Sequence, residues 1–226
     1  MARFDSHAGT ITVAASAPQL ARLEADLAHV RDGAKRALSA AINDTLRSGR
    51  TQLTRRMREH LNLKAGDVRD RIQITKRPSG TDLEGVLRLD YQAVRLQLFR
   101  PRASKKGGVI VTTTKADVGQ RFRHYFSARM ASGHVGVFRR VPGSPKVRPQ
   151  RGRYAGAMFK RGPKKGQAIL RQQIQETFGP SVLAAFEKAP NLADEALAEL
   201  GETFEARLNS KIQWLLGMTP APAVAA

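Results

Sequence analysis

Histidine moves protons most readily near neutral pH, and this chain has five: His7, His29, His60, His124 and His134. An acid–base or metal-dependent site needs a carboxylate or a second imidazole beside one of them. No pair has the HExxH spacing that places two imidazoles on one helix face, and no acid neighbours His124 or His134 in sequence. Asp67 and Asp70 share a helical face, which is also what a helix start looks like. The glycine-rich pieces KKGGV and RGPKKG lack the spacing of a phosphate-binding Walker loop, and they read as turns. GxSxG is absent, and there is no cysteine to act as nucleophile, zinc ligand or disulfide partner. The chain is thin in catalytic candidates, and no cofactor or metal is expected.

It is rich in cationic charge instead. Its 226 residues carry 39 Lys and Arg against 19 Asp and Glu, a formal net charge of +20. Such a surface attracts polyanions at long range, whether nucleic acid or an acidic protein face. The charge is segregated. Between Arg100 and Lys165 stand 18 basic residues and one acid, Asp117, whereas from Gly166 onward 7 acids outnumber 4 bases. Complementary ends of this kind suit a head-to-tail contact between copies. Two solvated faces without a partner are the plainer alternative.

Within the basic segment the candidates for a protein interface or for DNA are Arg139, Arg140, Lys146, Arg148, Arg151, Arg153, Lys160, Arg161, Lys164 and Lys165. Aromatic residues are interleaved with them, and exposed rings can stack bases. Tyr154 and Phe159 are the freer ones. Phe122 and Phe126, at i and i+4 in QRFRHYF, have the spacing of one helix face turned to the core. The stretch SARMASGHVGVFRR, residues 127–140, condenses the choice. It reads as a catalytic loop around His134, as a nucleic-acid-binding loop, or as a structural corner in which Gly133, Gly136 and Phe138 are the sensitive positions.

The elements that must position these residues follow from periodicity. Apolar residues make up 41% of the chain, enough for a core and too many for global disorder. TITVAAS (10–16) begins as a strand, and Pro18 suits the first turn of a helix that Gly33 interrupts. Leu38, Ile42, Leu46, Leu53, Met57 and Leu61 then mark a long amphipathic helix over 34–61, with a skip and a bend near Gly49. Ile72 and Ile74 alternate as in a strand. LEGVLRLDY (83–91), VRLQLF (94–99), GVIVTTTK (108–115) and VGVFRRV (135–141) read as further strands, with Gly107 and Gly108 turning a hairpin.

Residues 142–166, rich in Pro, Gly, Lys and Arg, read as a long basic loop or arm that is flexible in the isolated subunit. Two helices follow, one started by Pro180 and one capped by Asn191 with Asp194 and Glu195 in its first turn. The fold class is α+β: a small antiparallel sheet packed against a long N-terminal helix, with C-terminal helices. One domain over 1–217 and a flexible tail at 218–226 are expected. MARFDSHAGT lacks the apolar run of a signal peptide, and no window is long and apolar enough to span a membrane, so a cytoplasmic site of synthesis is expected.

The order of these features resembles the minor tail protein Z family of long-tailed bacteriophages and prophages. AKRALSAAINDTLRSGRTQLTRRMRE opens the match and LKAGDVRDRIQITK continues it; FRPRASKKGGVIVT, FSARMASGHVGVFRR and TFGPSVLAAFE follow in order, over residues 20 to 216. The opening MARFDSHAGTITVAAS and the proline-rich tail fall outside the pattern, and the run from Pro145 to Lys165 is longer and more basic than it.

The resemblance implies a virion structural protein, not an enzyme, at the head-proximal end of the tail. It would complete the tail and join it to the neck for DNA passage. Its partners would be copies of itself in a sixfold ring, neighbouring tail terminator, tail tube or neck connector proteins, and non-specifically phage DNA. A nucleic-acid-binding accessory module, ribosomal-protein-like or a packaging factor, is the alternative, and a basic nuclease the third reading. On the tail reading SGHVGVFRR is a glycine turn leading into a strand, with Arg139 and Arg140 at an exposed edge.

Overall fold

The computed structural model describes residues 2–80, 82–130, 132–150 and 155–217. The fold is α+β, with small antiparallel sheets and a long helix packed on one of them. The sequence reading takes 1–217 as one domain. The contacts gather into two compact units: the described residues up to Gln92 together with those from Ser181 onward, and Ala93–Pro180, inserted between them.

In the first unit β1 (Ala2–Asp5), β2 (Thr10–Ala14), β3 (Ile72–Lys76) and β4 (Glu84–Leu89) form an antiparallel sheet in the order β1-β2-β4-β3. Alternation along β2 buries Ile11 and Val13 completely. Helix α1 (Ala17–Asp26) starts as its sequence demands, with Pro18 in the first turn. Ser16 accepts a hydrogen bond from the Gln19 backbone N–H while the Gln19 side chain accepts one from Ser16 N–H. Gly33 does not interrupt a single helix. α1 ends at Asp26, and Gly33 opens the next one after Asp32 takes a left-handed conformation. His29, read as helical from sequence, lies in the turn between them.

Helix α2 (Gly33–His60) carries the core stripe Leu38, Ile42, Leu46, Leu53 and Met57. The helix runs on through Gly49, where the sequence pattern suggests a bend. A Cβ at Gly49 would overlap the Leu200 side chain, so the skip in the apolar pattern is a seat for α5 (Leu192–Leu215). Gly85 does the same for the sheet. A Cβ there would stand 2.6 Å from Leu46 Cδ1 and 2.7 Å from Ile42 Cγ2. α5 lies antiparallel along α2. Arg56 donates to Glu199 (2.6 Å) and Glu195 (2.7 Å), and Lys211 pairs with Asp44 (3.0 Å) at the other end. The hydrogen bond to Glu199 and the fields of both acids hold the Arg56 pKa above its ordinary value. Asn191 stands at the cap of α5 but in the left-handed region (φ 57°), and its side chain makes no capping hydrogen bond. The short helices α3 (Ala65–Arg69) and α4 (Val182–Lys188) complete this unit, with Val182 and Phe186 fully buried.

The inserted unit holds two three-stranded antiparallel sheets. β5 (Arg102–Ala103), β6 (Val109–Val111) and β7 (Gln120–Phe122) form one in the order β5-β6-β7; β8 (Tyr125–Arg129), β9 (Val135–Arg140) and β10 (Ile174–Glu176) form the other in the order β10-β9-β8. Two sequence expectations fail here. VRLQLF is not a strand: Leu96–Phe99 is a 3₁₀ turn. Its three-residue period puts Leu96 and Phe99 inside, where a strand would have buried Leu98. QRFRHYF is not a helix face either. The chain passes from β7 to β8 through a turn at Arg123–His124, which leaves Phe122 and Phe126 half-buried on two strands.

The ends of the inserted unit meet. Gly179 N–H donates to the Val94 carbonyl (2.7 Å) and Leu96 N–H to that of Thr177 (3.1 Å). In the first unit Leu183 N–H donates to the carbonyl of Asp90 (3.2 Å), so the flanks of the insertion are tied as well.

Candidate functional site

The described residues that sequence singled out for an interface, for DNA or for a structural corner fall into three places, all within the inserted unit. The first is the corner. Val137 and Phe138 are buried on the central strand β9, and the Phe138 ring packs 6.2 Å from those of both Phe126 and His134. Gly133 turns the chain at φ 84° with open space around it, so conformation alone calls for glycine there. Gly136 is closed by packing. A Cβ would stand 2.8 Å from Glu176 Oε1 and 2.9 Å from Phe138 Cζ.

Glu176 is the residue that sequence reasoning missed. It lies on β10, paired through the ladder with Phe138, and its Oε1 is 3.0 Å from His134 Nε2. His134 therefore does have a carboxylate partner, delivered by strand pairing from a distant part of the chain. No local spacing could reveal it. Both side chains are partly exposed, at 32% and 21%. Among the described residues no group of three His, Cys, Asp or Glu is placed to hold a metal ion.

The second place is an open groove of about 600 Å³ where β9 leaves its sheet, lined by Arg123, His124, Tyr125, Phe126, Arg139, Arg140, Val141, Pro142 and Gln172. The β7–β8 turn supplies Arg123 and His124, and the end of β9 supplies Arg139 and Arg140. Arg139 donates to Gln175 Oε1 (3.1 Å), and the Arg140 guanidinium stands 5.8 Å over the Phe126 ring. Tyr125 stacks on Phe122 with ring centres 4.8 Å apart.

The third is the arm. It doubles back on itself as an irregular antiparallel ribbon that prolongs β9 and β10. Val147 and Arg171 exchange two hydrogen bonds of 2.9 Å; further out, Ile169 N–H donates to Ala157 and Phe159 N–H to Gln167, both at 3.0 Å. Lys160, Arg161, Lys164 and Lys165 crowd the exposed tip, and Lys146 and Arg148 are exposed near its base. Arg151, Arg153 and Tyr154 lie outside the described residues. The ribbon also leaves Val147, Met158, Phe159 and Leu170 solvent-exposed, between 38% and 56%.

Scanned against protein-family models, curated proteins and solved structures, the chain matches none.

Proposed function

We propose that this chain is a structural protein of a long phage tail, placed at the head-proximal end, where it completes the tail and joins it to the neck for DNA passage. The ordered motifs that resemble the minor tail protein Z family suggest the reading. The observation that carries it is the arm: a thinly bonded ribbon with exposed apolar side chains and a four-cation tip. Apolar residues left in water on a projecting element mark a surface that a partner protein covers. In this reading the chain catalyses nothing and needs no cofactor. It works in the virion, as a ring of copies against terminator, tube or connector proteins. Heterologous contacts between a basic arm and an acidic face close into rings when the rotation allows.

Two outcomes test it. Averaged images of virions should place several copies, in sixfold array, at the tail end nearest the head; a single copy, or a position at the tail tip, would sink the reading. In the isolated subunit trypsin should cut first between Lys160 and Lys165, and assembly into particles should protect those bonds. An arm that resists trypsin when free would contradict the claim that it is ordered by neighbours. The groove favours a second reading, a free-standing nucleic-acid-binding accessory module, which would do its work as a monomer outside any particle.

A further inference from the structure

We infer that the groove at the end of β9 binds the phosphodiester backbone of DNA without reading sequence, through Arg123, Arg139 and Arg140. Three arginines and a histidine line it, and no carboxylate does. Each of these side chains is exposed. The arginines come from two separate places in the chain, the β7–β8 turn and the last residues of β9, so the fold has gathered them.

Two of the three arginines are held in place. Phe126 lies beneath the Arg140 guanidinium, and one Arg139 N–H is fixed by Gln175. A planar, pre-positioned guanidinium fork matches a phosphate with little further loss of freedom. One face of Phe126 is taken by Arg140 and one face of Tyr125 by Phe122, so the rings serve first to support Arg140 and the turn that carries Arg123. Besides the arginines the lining offers His124, the Tyr125 hydroxyl and Gln172 as polar groups, and a cationic surface free of carboxylates meets the phosphates first, whatever the base sequence. The ligand is therefore the backbone, in a duplex as well as in a single strand.

This assignment does not rest on the tail reading. A chain that binds DNA in this groove and never enters a virion keeps the one and loses the other.

The test is the salt dependence of binding to a labelled duplex, followed by fluorescence anisotropy. Replacing Arg123, Arg139 and Arg140 together with Gln should lower the slope of log K against log salt by about 2 to 3, since each lost phosphate contact removes roughly 0.9. Replacing Lys160, Arg161, Lys164 and Lys165 with Gln should leave that slope in place. The triple Arg→Lys variant keeps the charge and should keep the slope, and the single Arg123→Gln, on an exposed turn, should lower it by about 0.9 even if the triple variant folds badly. An unchanged slope in the triple Gln variant overturns the assignment. So does an equal loss in the arm variant, or polyglutamate displacing the duplex at matched charge, which would give the groove to an acidic protein.

Discussion

Gly108→Ala should cost the inserted unit about 2–5 kcal/mol, whereas Gly107→Ala beside it should cost only about 1–2. Both glycines have positive φ, 80° at Gly107 and 86° at Gly108, so an L-residue is strained at either. They differ in what surrounds them. A Cβ at Gly107 meets nothing within 4 Å. At Gly108 it would overlap the Phe122 carbonyl oxygen and stand 2.8 Å from the Arg123 Cα. Those are backbone atoms of β7 and of the turn that carries Arg123, and they cannot swing aside as a side-chain tip can. The damage should be local. Hydrogen exchange should show β6 and β7 losing protection, while fluorescence from the single tryptophan, Trp214 on α5 in the first unit, melts as before. Equal melting of the two variants would mean that the close approach at Gly108 has no energetic weight.

Phe138→Ala is the second large effect, about 3–5 kcal/mol, because the ring is 6% exposed on a central strand and its removal leaves a cavity beside Phe126. His134→Ala should cost about 0–1 kcal/mol, the usual range for a partly exposed pair. Glu176→Gln keeps the shape of its side chain and should cost no more. The measurement is thermal melting of each variant, set beside a test that belongs to the proposed tail function, complementation of a phage lacking the protein. If His134→Ala and Glu176→Gln both melt normally yet abolish complementation, the pair does chemistry and the corner reading falls.

The long helices were legible because their signal is local. The four-residue beat from Leu38 to Met57 survives in a single strip of sequence, and the helix start at Pro18 and the turn at Gly107–Gly108 need only neighbours. What was illegible depends on pairing across long separations. Glu176 reaches His134 only after β10 has found β9. Arg123 meets Arg139 and Arg140 only because the chain turns at Arg123–His124, where the phenylalanine spacing imitates a helix. VRLQLF misled for a related reason: its alternation is that of a strand, but Phe99 is the residue taken inside. The basic arm was recognised by composition. Its return as a ribbon was not, since the rungs at Val147–Arg171 and Met158–Ala168 have no sequence signature of their own.

The tie between Val94 and Gly179 bears on the order in which the chain can fold. Helices α4 and α5 must return to α2 across everything from Ala93 to Pro180. With that segment unstructured, the return closes a loop of roughly 90 residues; with it folded and its ends held together, the gap is only a few residues wide. Each doubling of loop length adds about 0.6 kcal/mol, so the four or five doublings removed amount to about 3 kcal/mol of closure entropy. The insertion thus works as a clasp: once shut, it presents the two halves of its host to each other nearly as if they had been consecutive in the chain.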